Sequence, residues 1–277
     1  MSRIAVIVFP GTNCHQETAA ALRAAGAETT LLRWNANDAQ ASGFDGYVLA
    51  GGFAYEDRVR AGAIAAKHDI LDAVAEAAAA GRPILGVCNG AQVLVESGLV
   101  PGVETGSVEV ALAPNAARGW RGYYCEWIHL RGRDTASFYD THDAVVPMPI
   151  GHGEGRFTGD PELFAELERR GQVALRYVES DGSAARGFPA NPNGSRCDAA
   201  GLCNPAGNVL AMMPHPERAA WLYQVPDSLG GAWGARRRDA VEKGEALTGA
   251  GPGLALYTSL VRTAERVRVG GTCNSIS

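Results

Sequence analysis

Cys88 stands at a predicted turn between a strand and a helix, with a glycine two residues away on each side. The run from Pro83 to Val87 is apolar and predicts a buried strand, and the residues up to Glu96 predict a helix. A Gly-x-Cys-x-Gly turn is the thiol counterpart of the G-x-S-x-G nucleophile elbow. The free N–H groups and the dipole of a helix N-terminus favour a thiolate there. The pattern predicts a nucleophilic cysteine, and the alternative is a small buried residue in a tight turn.

A base for this nucleophile is predicted at His215, in the segment MMPHPER. The prolines on both sides exclude a helix and hold the backbone extended. Because residues two apart point the same way in an extended chain, Glu217 is expected on the same side as His215. A carboxylate there orients the imidazole and supports its charged form. Cys88, His215 and Glu217 are therefore a candidate nucleophilic triad, although the HPE tripeptide alone also fits an exposed turn.

Acyl chemistry at a cysteine also needs donors for the oxyanion of the tetrahedral intermediate. The backbone N–H of Asn89, directly after the cysteine, is one candidate. The second is Gly52, in the Gly51-Gly52 pair that ends another apolar run. Glycine in this place lets the backbone come close to a ligand, although a plain Gly-Gly turn has the same pattern.

Strand and helix signals alternate over the first 100 residues. Strands are predicted in residues 3–9, 27–34, 44–52 and 82–88, and helices in residues 15–26 and 69–81. Such alternation predicts an α/β fold, with an open, mostly parallel sheet and helices on both faces. Ligands bind beyond the carboxyl ends of the strands in such sheets, and Cys88 and Gly52 stand at two of these ends.

The second half of the chain is less regular. Two strands that would form an antiparallel extension are predicted in residues 121–132 and 172–179. A surface loop is predicted in residues 182–201 and a hairpin in residues 200–213. An amphipathic helix is predicted to close the domain in residues 253–267. Residues 221–253 are rich in glycine and weakly patterned, which predicts an excursion over the surface. One domain is expected over residues 1–269, with a flexible tail at 270–277.

The composition excludes several classes of function. Apolar residues make up 46% and charged residues 20% of the 277 residues, as in ordinary globular proteins. The net charge of −5 argues against a nucleic-acid partner. No stretch reaches the roughly 20 apolar residues that span a bilayer, so no membrane partner is expected.

The cysteines bear on metal binding and on location. The six cysteines form no C-x-x-C pair, so no metal site is expected. The apolar run from Ile4 to Pro10 is too short for a signal peptide, and the cytoplasm, where thiols stay reduced, is the expected location.

Several segments together resemble the class I, triad-type glutamine amidotransferases, and in particular the glutaminase subunits of phosphoribosylformylglycinamidine synthases. The resemblance spans most of the chain in the family's order. It implies the flavodoxin-like α/β fold of that family. The segments that carry it are FPGTNC (9–14), GGFAYEDRVRAGAIAA (51–66), GVCNGAQVL (86–94), GHGEGRF (151–157), FPANPNGS (188–195) and GNVLAMMPHPERA (207–219).

The resemblance implies a role for each motif residue. Cys88 would attack the side-chain amide of glutamine, His215 would pass a proton to the departing ammonia, and Glu217 would orient His215. The backbone of Gly52 and Asn89 would bind the oxyanion. The residues expected to bind the substrate are Gly51, Gln92, His152, Gly153, Glu154 and Arg156.

The resemblance also implies partners. Ammonia would pass to a separate ATP-using synthase subunit in de novo purine biosynthesis, and many such complexes hold a small third subunit. No cofactor is expected in this chain, because it has no G-x-x-x-x-G-K-[ST] motif. ATP and Mg²⁺ are expected on the synthase subunit.

Some positions depart from the family pattern, and rival functions exist. Ala91 and Ala54 replace a bulkier residue and a serine, and Glu126 stands where a basic residue is common. The rivals are another cysteine enzyme on a similar sheet, a non-catalytic scaffold and a redox sensor. The distant HPE segment argues against another cysteine enzyme, and the intact triad argues against a non-catalytic scaffold. The lack of a resolving cysteine near Cys88 argues against a redox sensor.

Overall fold

The computed structural model describes residues 1–104, 106–117, 122–132 and 134–273. Eleven strands form one large and one small sheet within these residues. The strands are β1 (Arg3–Val8), β2 (Glu28–Arg33), β3 (Gly46–Leu49), β4 (Ile84–Val87), β5 (Val110–Ala113), β6 (Tyr124–Arg131), β7 (Val146–His152), β8 (Arg156–Gly159), β9 (Leu175–Val178), β10 (Ala199–Cys203) and β11 (Val209–Met212).

Seven α-helices and several short 3₁₀ turns connect the strands of the described part. Helix α4 lies against β4 and β11, whereas α1 and α7 lie against each other. The helices are α1 (His15–Ala24), α2 (Asp38–Ala41), α3 (Ile70–Ala79), α4 (Asn89–Glu96), α5 (Pro161–Arg169), α6 (Gly231–Glu242) and α7 (Leu254–Cys273).

The large sheet has a parallel half and an antiparallel half. Its strand order is β2-β1-β3-β4-β11-β10-β9-β6-β7. The first five strands in this order run parallel, and every pairing from β11 onward is antiparallel. The small sheet pairs β5 with β8. The predicted fold class, a mostly parallel open sheet with an antiparallel extension, is confirmed.

Strands β3 and β4 are buried on both faces of the sheet because their sequences are apolar without interruption. Every residue of β3 (GYVL) and of β4 (ILGV) is buried. A strand that is covered on both faces needs apolar residues at consecutive positions, as these two have. Strand β4 lies between β3 and β11, so its carboxyl end, where Cys88 follows, has a parallel strand on each side.

The late part of the chain is more ordered than its sequence suggests. Residues 231–242 form helix α6, which the weak pattern of residues 221–253 did not predict. The sequence of α6, GAWGARRRDAVE, has no continuous apolar stripe, so periodicity could not reveal it. A small apolar cluster, separate from the main core, holds this region together through Leu222, Val225, Leu229 and Ala240.

Helix α7 is longer than expected. It continues to Cys273, beyond the predicted helix end at residue 267. The last residues of the predicted tail, 274–277, lie outside the described part, and the domain boundary at residue 269 stays a prediction. None of the helices in the described residues combines the length and the apolar character that crossing a membrane requires.

Candidate active site

Cys88 occupies a strained turn between β4 and α4, with φ of 51° and ψ of −107°. A positive φ is uncommon for a residue with a side chain and costs about 1–3 kcal/mol. A Cβ on Gly86 would lie 2.6 Å from the carbonyl oxygen of Gly90, and a Cβ on Gly90 would lie 1.9 Å from that of Leu49. Both glycines are therefore required by the close approach of neighbouring backbone, as expected for a nucleophile elbow.

The thiol of Cys88 lies inside the protein rather than on its surface. Cys88 is only 6% exposed, and its Sγ lies 3.6 Å from the carbonyl oxygen of Gly151, which can accept a hydrogen bond from the thiol. Gly151 belongs to β7, so the antiparallel half of the sheet supplies one wall of the site. All eight residues of α4, from Asn89 onward, are buried.

His215 and Glu217 form a buried pair. Nδ1 of His215 lies 2.5 Å from Oε1 of Glu217, and the two side chains are 2% and 0% exposed. The expected contact is present, but its backbone is not extended throughout. Pro216 begins a 3₁₀ turn that ends at Arg218, which is possible because proline is tolerated in the first turn of a helix.

The pair is held in its charged form. Burial alone would lower the pKa of His215, but the charge of Glu217, and also the Cys88 sulfur, raise it well above its ordinary value. Burial alone would raise the pKa of Glu217, but the charge and the hydrogen bond of His215 lower it instead. Nε2 of His215 is buried and has no hydrogen-bond partner within the described residues, which leaves it available to a reacting group.

Cys14 and Arg218 extend this cluster, and sequence reasoning assigned neither of them. Arg218 donates from a terminal nitrogen to Sγ of Cys14 at 3.1 Å, and its Nε lies 3.8 Å from Oε1 of Glu217. Within the described residues, ligand-type atoms of Cys14, His215 and Glu217 lie within 4.8 Å of one another. A metal could use such a set, but the Arg218 guanidinium already supplies a positive charge there. Arg218 thus links Cys14 to the carboxylate of Glu217.

The loop after β3 lies directly against the triad. A Cβ on Gly51 would lie 2.9 Å from Cε1 of His215, so only glycine fits there. The backbone hydrogen bonds of this loop run from Asn13 to Gly51 and from Phe53 to Gly11. Thr12 and Gly52 face each other in this isolated bridge, but its hydrogen bonds do not use the N–H of Gly52. Gly52 follows Gly51 directly, and Asn89 begins α4 next to Cys88. The oxyanion role of these two N–H groups stays a prediction.

Gln92, in α4, contacts the segment that follows β7. Gln92 is 5% exposed, and its Nε2 donates to the carbonyl oxygen of Glu154 at 2.6 Å. Gly153 accepts a hydrogen bond from the backbone of Asn115 at 2.8 Å. Arg156 donates to the carbonyl oxygen of Pro114 at 3.1 Å, a contact with the β5 loop rather than with the triad.

His152 is buried and neutral. Burial, together with the neighbouring His215, lowers the pKa of His152 to about 3. Its Nδ1 lies 3.1 Å from Oδ1 of Asn115, whose Nδ2 donates to the carbonyl oxygens of Gly122 and His152. Because the amide of Asn115 is oriented by those bonds, Nδ1 of His152 carries the proton. Asn115 was not identified from the sequence, because it stands in no recognisable motif.

The comparisons with known proteins agree on one family. A family model for the CobB/CobQ-like glutamine amidotransferase domain matches residues 1–245. The chain is 42% identical to phosphoribosylformylglycinamidine synthase subunit PurQ of Methanothrix thermoacetophila, over 96% of this chain and 99% of that protein. It is 40% identical to the subunit of the same name from Pyrococcus horikoshii, over 79% of this chain and 90% of that protein.

A solved structure agrees with these relatives. The chain resembles a chain in the structure of PurLQS from Thermotoga maritima, with a TM-score of 0.64 and 30% sequence identity. The match covers 88% of this chain and 99% of that chain. Given this fold and the sequence identity over nearly its whole length, the protein belongs to the CobB/CobQ-like glutamine amidotransferases and, among them, to the family of phosphoribosylformylglycinamidine synthase subunits PurQ.

Proposed function

We propose that this chain is the glutaminase subunit of a phosphoribosylformylglycinamidine synthase, and that Cys88, His215 and Glu217 are its catalytic triad. One observation carries the proposal. A cysteine on a nucleophile elbow lies at the same sheet edge as a buried, charged His215–Glu217 pair. The family's relatives carry the name of that synthase subunit.

The first half of the reaction forms a thioester. The Cys88 thiolate attacks the side-chain carbonyl carbon of glutamine, and a carbon–sulfur bond forms. The negative charge that develops on the carbonyl oxygen is stabilised by the N–H groups of Asn89 and Gly52. The carbon–nitrogen bond then breaks, and Nε2 of His215 gives its proton to the departing nitrogen, which leaves as ammonia.

The second half of the reaction releases glutamate. A water molecule attacks the thioester carbon while Nε2 of His215 accepts its proton. The carbon–sulfur bond breaks and the Cys88 thiolate is restored. Glu217 keeps the imidazole in one orientation throughout, and its charge supports the imidazolium in both halves.

We infer the partners from the same chemistry. The ammonia is passed to a separate synthase subunit, which binds ATP and Mg²⁺, and this chain needs no cofactor of its own. A small third subunit completes the complex, as the name PurLQS of the Thermotoga maritima structure suggests for that assembly. A reducing compartment, the cytoplasm, suits a reaction that needs the Cys88 thiol free.

Replacing Cys88 with alanine tests the division of labour. In the complex with the synthase subunit, we expect Cys88→Ala to abolish glutamine-dependent synthesis and to leave synthesis from ammonium intact. Cys197→Ala is the matched control, because Cys197 is a free thiol in the 3₁₀ turn Arg196–Asp198, where its neighbours are Glu168 and Arg176, and it should retain both activities. Equal loss of both activities in Cys88→Ala would contradict the proposal.

Covalent labelling tests the nucleophile directly. A glutamine analogue that carries an electrophile in place of the side-chain amide should alkylate Cys88, located by peptide mass mapping. Label on another cysteine would assign the nucleophile elsewhere.

A further inference from the structure

A chain of hydrogen bonds runs from the residue after the nucleophile to the carboxylate of Asp57 and to the backbone of Glu154. Nδ2 of Asn89 donates to Oδ1 of Asp57 at 3.2 Å and to Oε1 of Gln92 at 2.9 Å. Nε2 of Gln92 donates to the carbonyl oxygen of Glu154 at 2.6 Å. Asp57 and Glu154 therefore stand at the two ends of one network, which is fixed to the first turn of α4.

The network itself is built into the protein. Asn89 is 1% exposed and Gln92 is 5% exposed. Oδ1 of Asn89 accepts a hydrogen bond from the backbone N–H of Ala54 at 2.9 Å, which ties the network to the loop that carries Gly52. The carboxylate of Asp57 and the backbone of Glu154 are thus positioned relative to Cys88 by buried amides.

Within the described residues neither carboxylate forms a salt bridge, although Glu154 lies close enough to Arg60 to interact with its charge. The nearby Arg60 is engaged with both carboxylate oxygens of Glu96. Oε2 of Glu154 is buried and has no hydrogen-bond partner in the described part of the chain. Burial, and next the charge of Glu154, raise the pKa of Asp57 to about 6, although the hydrogen bond from Asn89 opposes this rise. Two partly buried acids that repel each other favour a cationic ligand between them.

We propose that Asp57 and Glu154 bind the α-ammonium group of the substrate glutamine, which makes Asp57 a specificity residue. The inference rests on the proposed glutaminase function. Glutamine carries its ammonium a short aliphatic chain away from the amide carbon that Cys88 attacks. Asp57 is joined to the elbow through a single residue, Asn89, which follows Cys88 directly. A carboxylate pair in that place selects free glutamine over amides that lack the positive charge.

Substrates with and without the ammonium group test the inference. The probes are L-glutamine and glutaramic acid, which has the same amide and carboxylate but no amino group. In the complex with the synthase subunit, Asp57→Asn should lower kcat/KM for glutamine about 10- to 100-fold, mainly through KM, as expected for loss of a hydrogen bond to a charged group. The kcat/KM for glutaramic acid should stay within about twofold of its original value, so the preference for glutamine collapses.

Glu56→Gln is the matched control. It removes the same charge one residue away, but Glu56 is 78% exposed and pairs with Arg58, so both substrates should be unaffected. Glu154→Gln provides a second variant and should show the same selective loss as Asp57→Asn, so the inference remains testable if Asp57→Asn does not fold. Equal loss for both substrates in these variants would show a structural role and overturn the inference.

A binding measurement separates this inference from the proposed function. Calorimetry on the Cys88→Ala chain needs no turnover, and it should show tighter binding of L-glutamine than of glutaramic acid. The preference should disappear when Asp57→Asn is added. Absence of glutaminase activity in the unmodified complex would refute the proposed function, whereas equal binding of the two probes would refute only the ammonium site.

Discussion

Two buried histidines near the nucleophile differ in charge because their partners differ. His215 faces the carboxylate of Glu217, which outweighs burial and raises its pKa. His152 faces the neutral amide of Asn115, so burial dominates and its pKa falls to about 3. Of these two histidines, His215 is therefore the one that carries a proton at neutral pH.

Replacing Glu217 by its neutral isostere tests this account at the residue scale. With Glu217→Gln, the charge that raises the pKa of His215 is lost, so this pKa should fall. Because His215 must be protonated to release ammonia, the basic limb of the profile of kcat/KM against pH should move to lower pH. We expect kcat/KM to fall by about 10²-fold or more.

The exposed Glu242→Gln in α6 serves as the control and should leave the profile unchanged. A basic limb that stays in place in Glu217→Gln would show that Glu217 does not set the pKa of His215. The pKa itself can be followed by NMR titration of the imidazole.

At the scale of elements, the site is made by the turn between β4 and α4. The sequence predicts this turn because an uninterrupted apolar strand, two spaced glycines and a helical run follow one another within residues 83–96. It also predicts the contact between His215 and Glu217, since they are close in sequence. It does not predict Asn115, Cys14 or Asp57, because their contacts join segments far apart in the chain and follow no motif.

The glycine of the elbow provides a test of element packing. Gly90→Ala should lower the free energy of unfolding by about 3 kcal/mol, because its Cβ would overlap the backbone of Leu49 in β3. This cost exceeds the gain of about 1 kcal/mol that alanine brings to a helix interior. Urea unfolding followed by circular dichroism measures the change.

Gly270→Ala is the matched control, since Gly270 is also helical and a Cβ there meets nothing within 4 Å. It should be neutral or slightly stabilising. If Gly90→Ala were as stable as the control, the backbone near Leu49 would have to yield easily, and the close-approach argument would be wrong.

At the scale of the whole molecule, the nucleophile is nearly enclosed while apolar rings stand exposed close by. Cys88 is 6% exposed, whereas Phe53 and Tyr123 are 45% and 52% exposed and lie with ring centroids 6.3 Å apart. Phe53 follows Gly52 directly, and the hydroxyl of Tyr123 lies beside Gly151. A partner that covers these rings would touch the two loops that border the thiol.

The isolated chain should therefore be a poor glutaminase. We expect its turnover of glutamine to rise at least about tenfold when the synthase subunit and its nucleotide substrates are added, because docking would adjust the loops that enclose Cys88. Steady-state glutamate release, with and without the partner, measures the effect. Full turnover by the purified chain alone would contradict this expectation.

The two ends of residues 221–250, the segment that follows Glu217, lie next to each other. Trp221 pairs with Ala250 in an antiparallel bridge, and the backbone of Leu222 donates to Gly249 at 2.9 Å. Because its two ends are clasped together, the intervening stretch with α6 can be longer or shorter in other family members at little entropic cost. The surface of residues 222–249 can thus change between family members while the position of the catalytic residues before it stays the same.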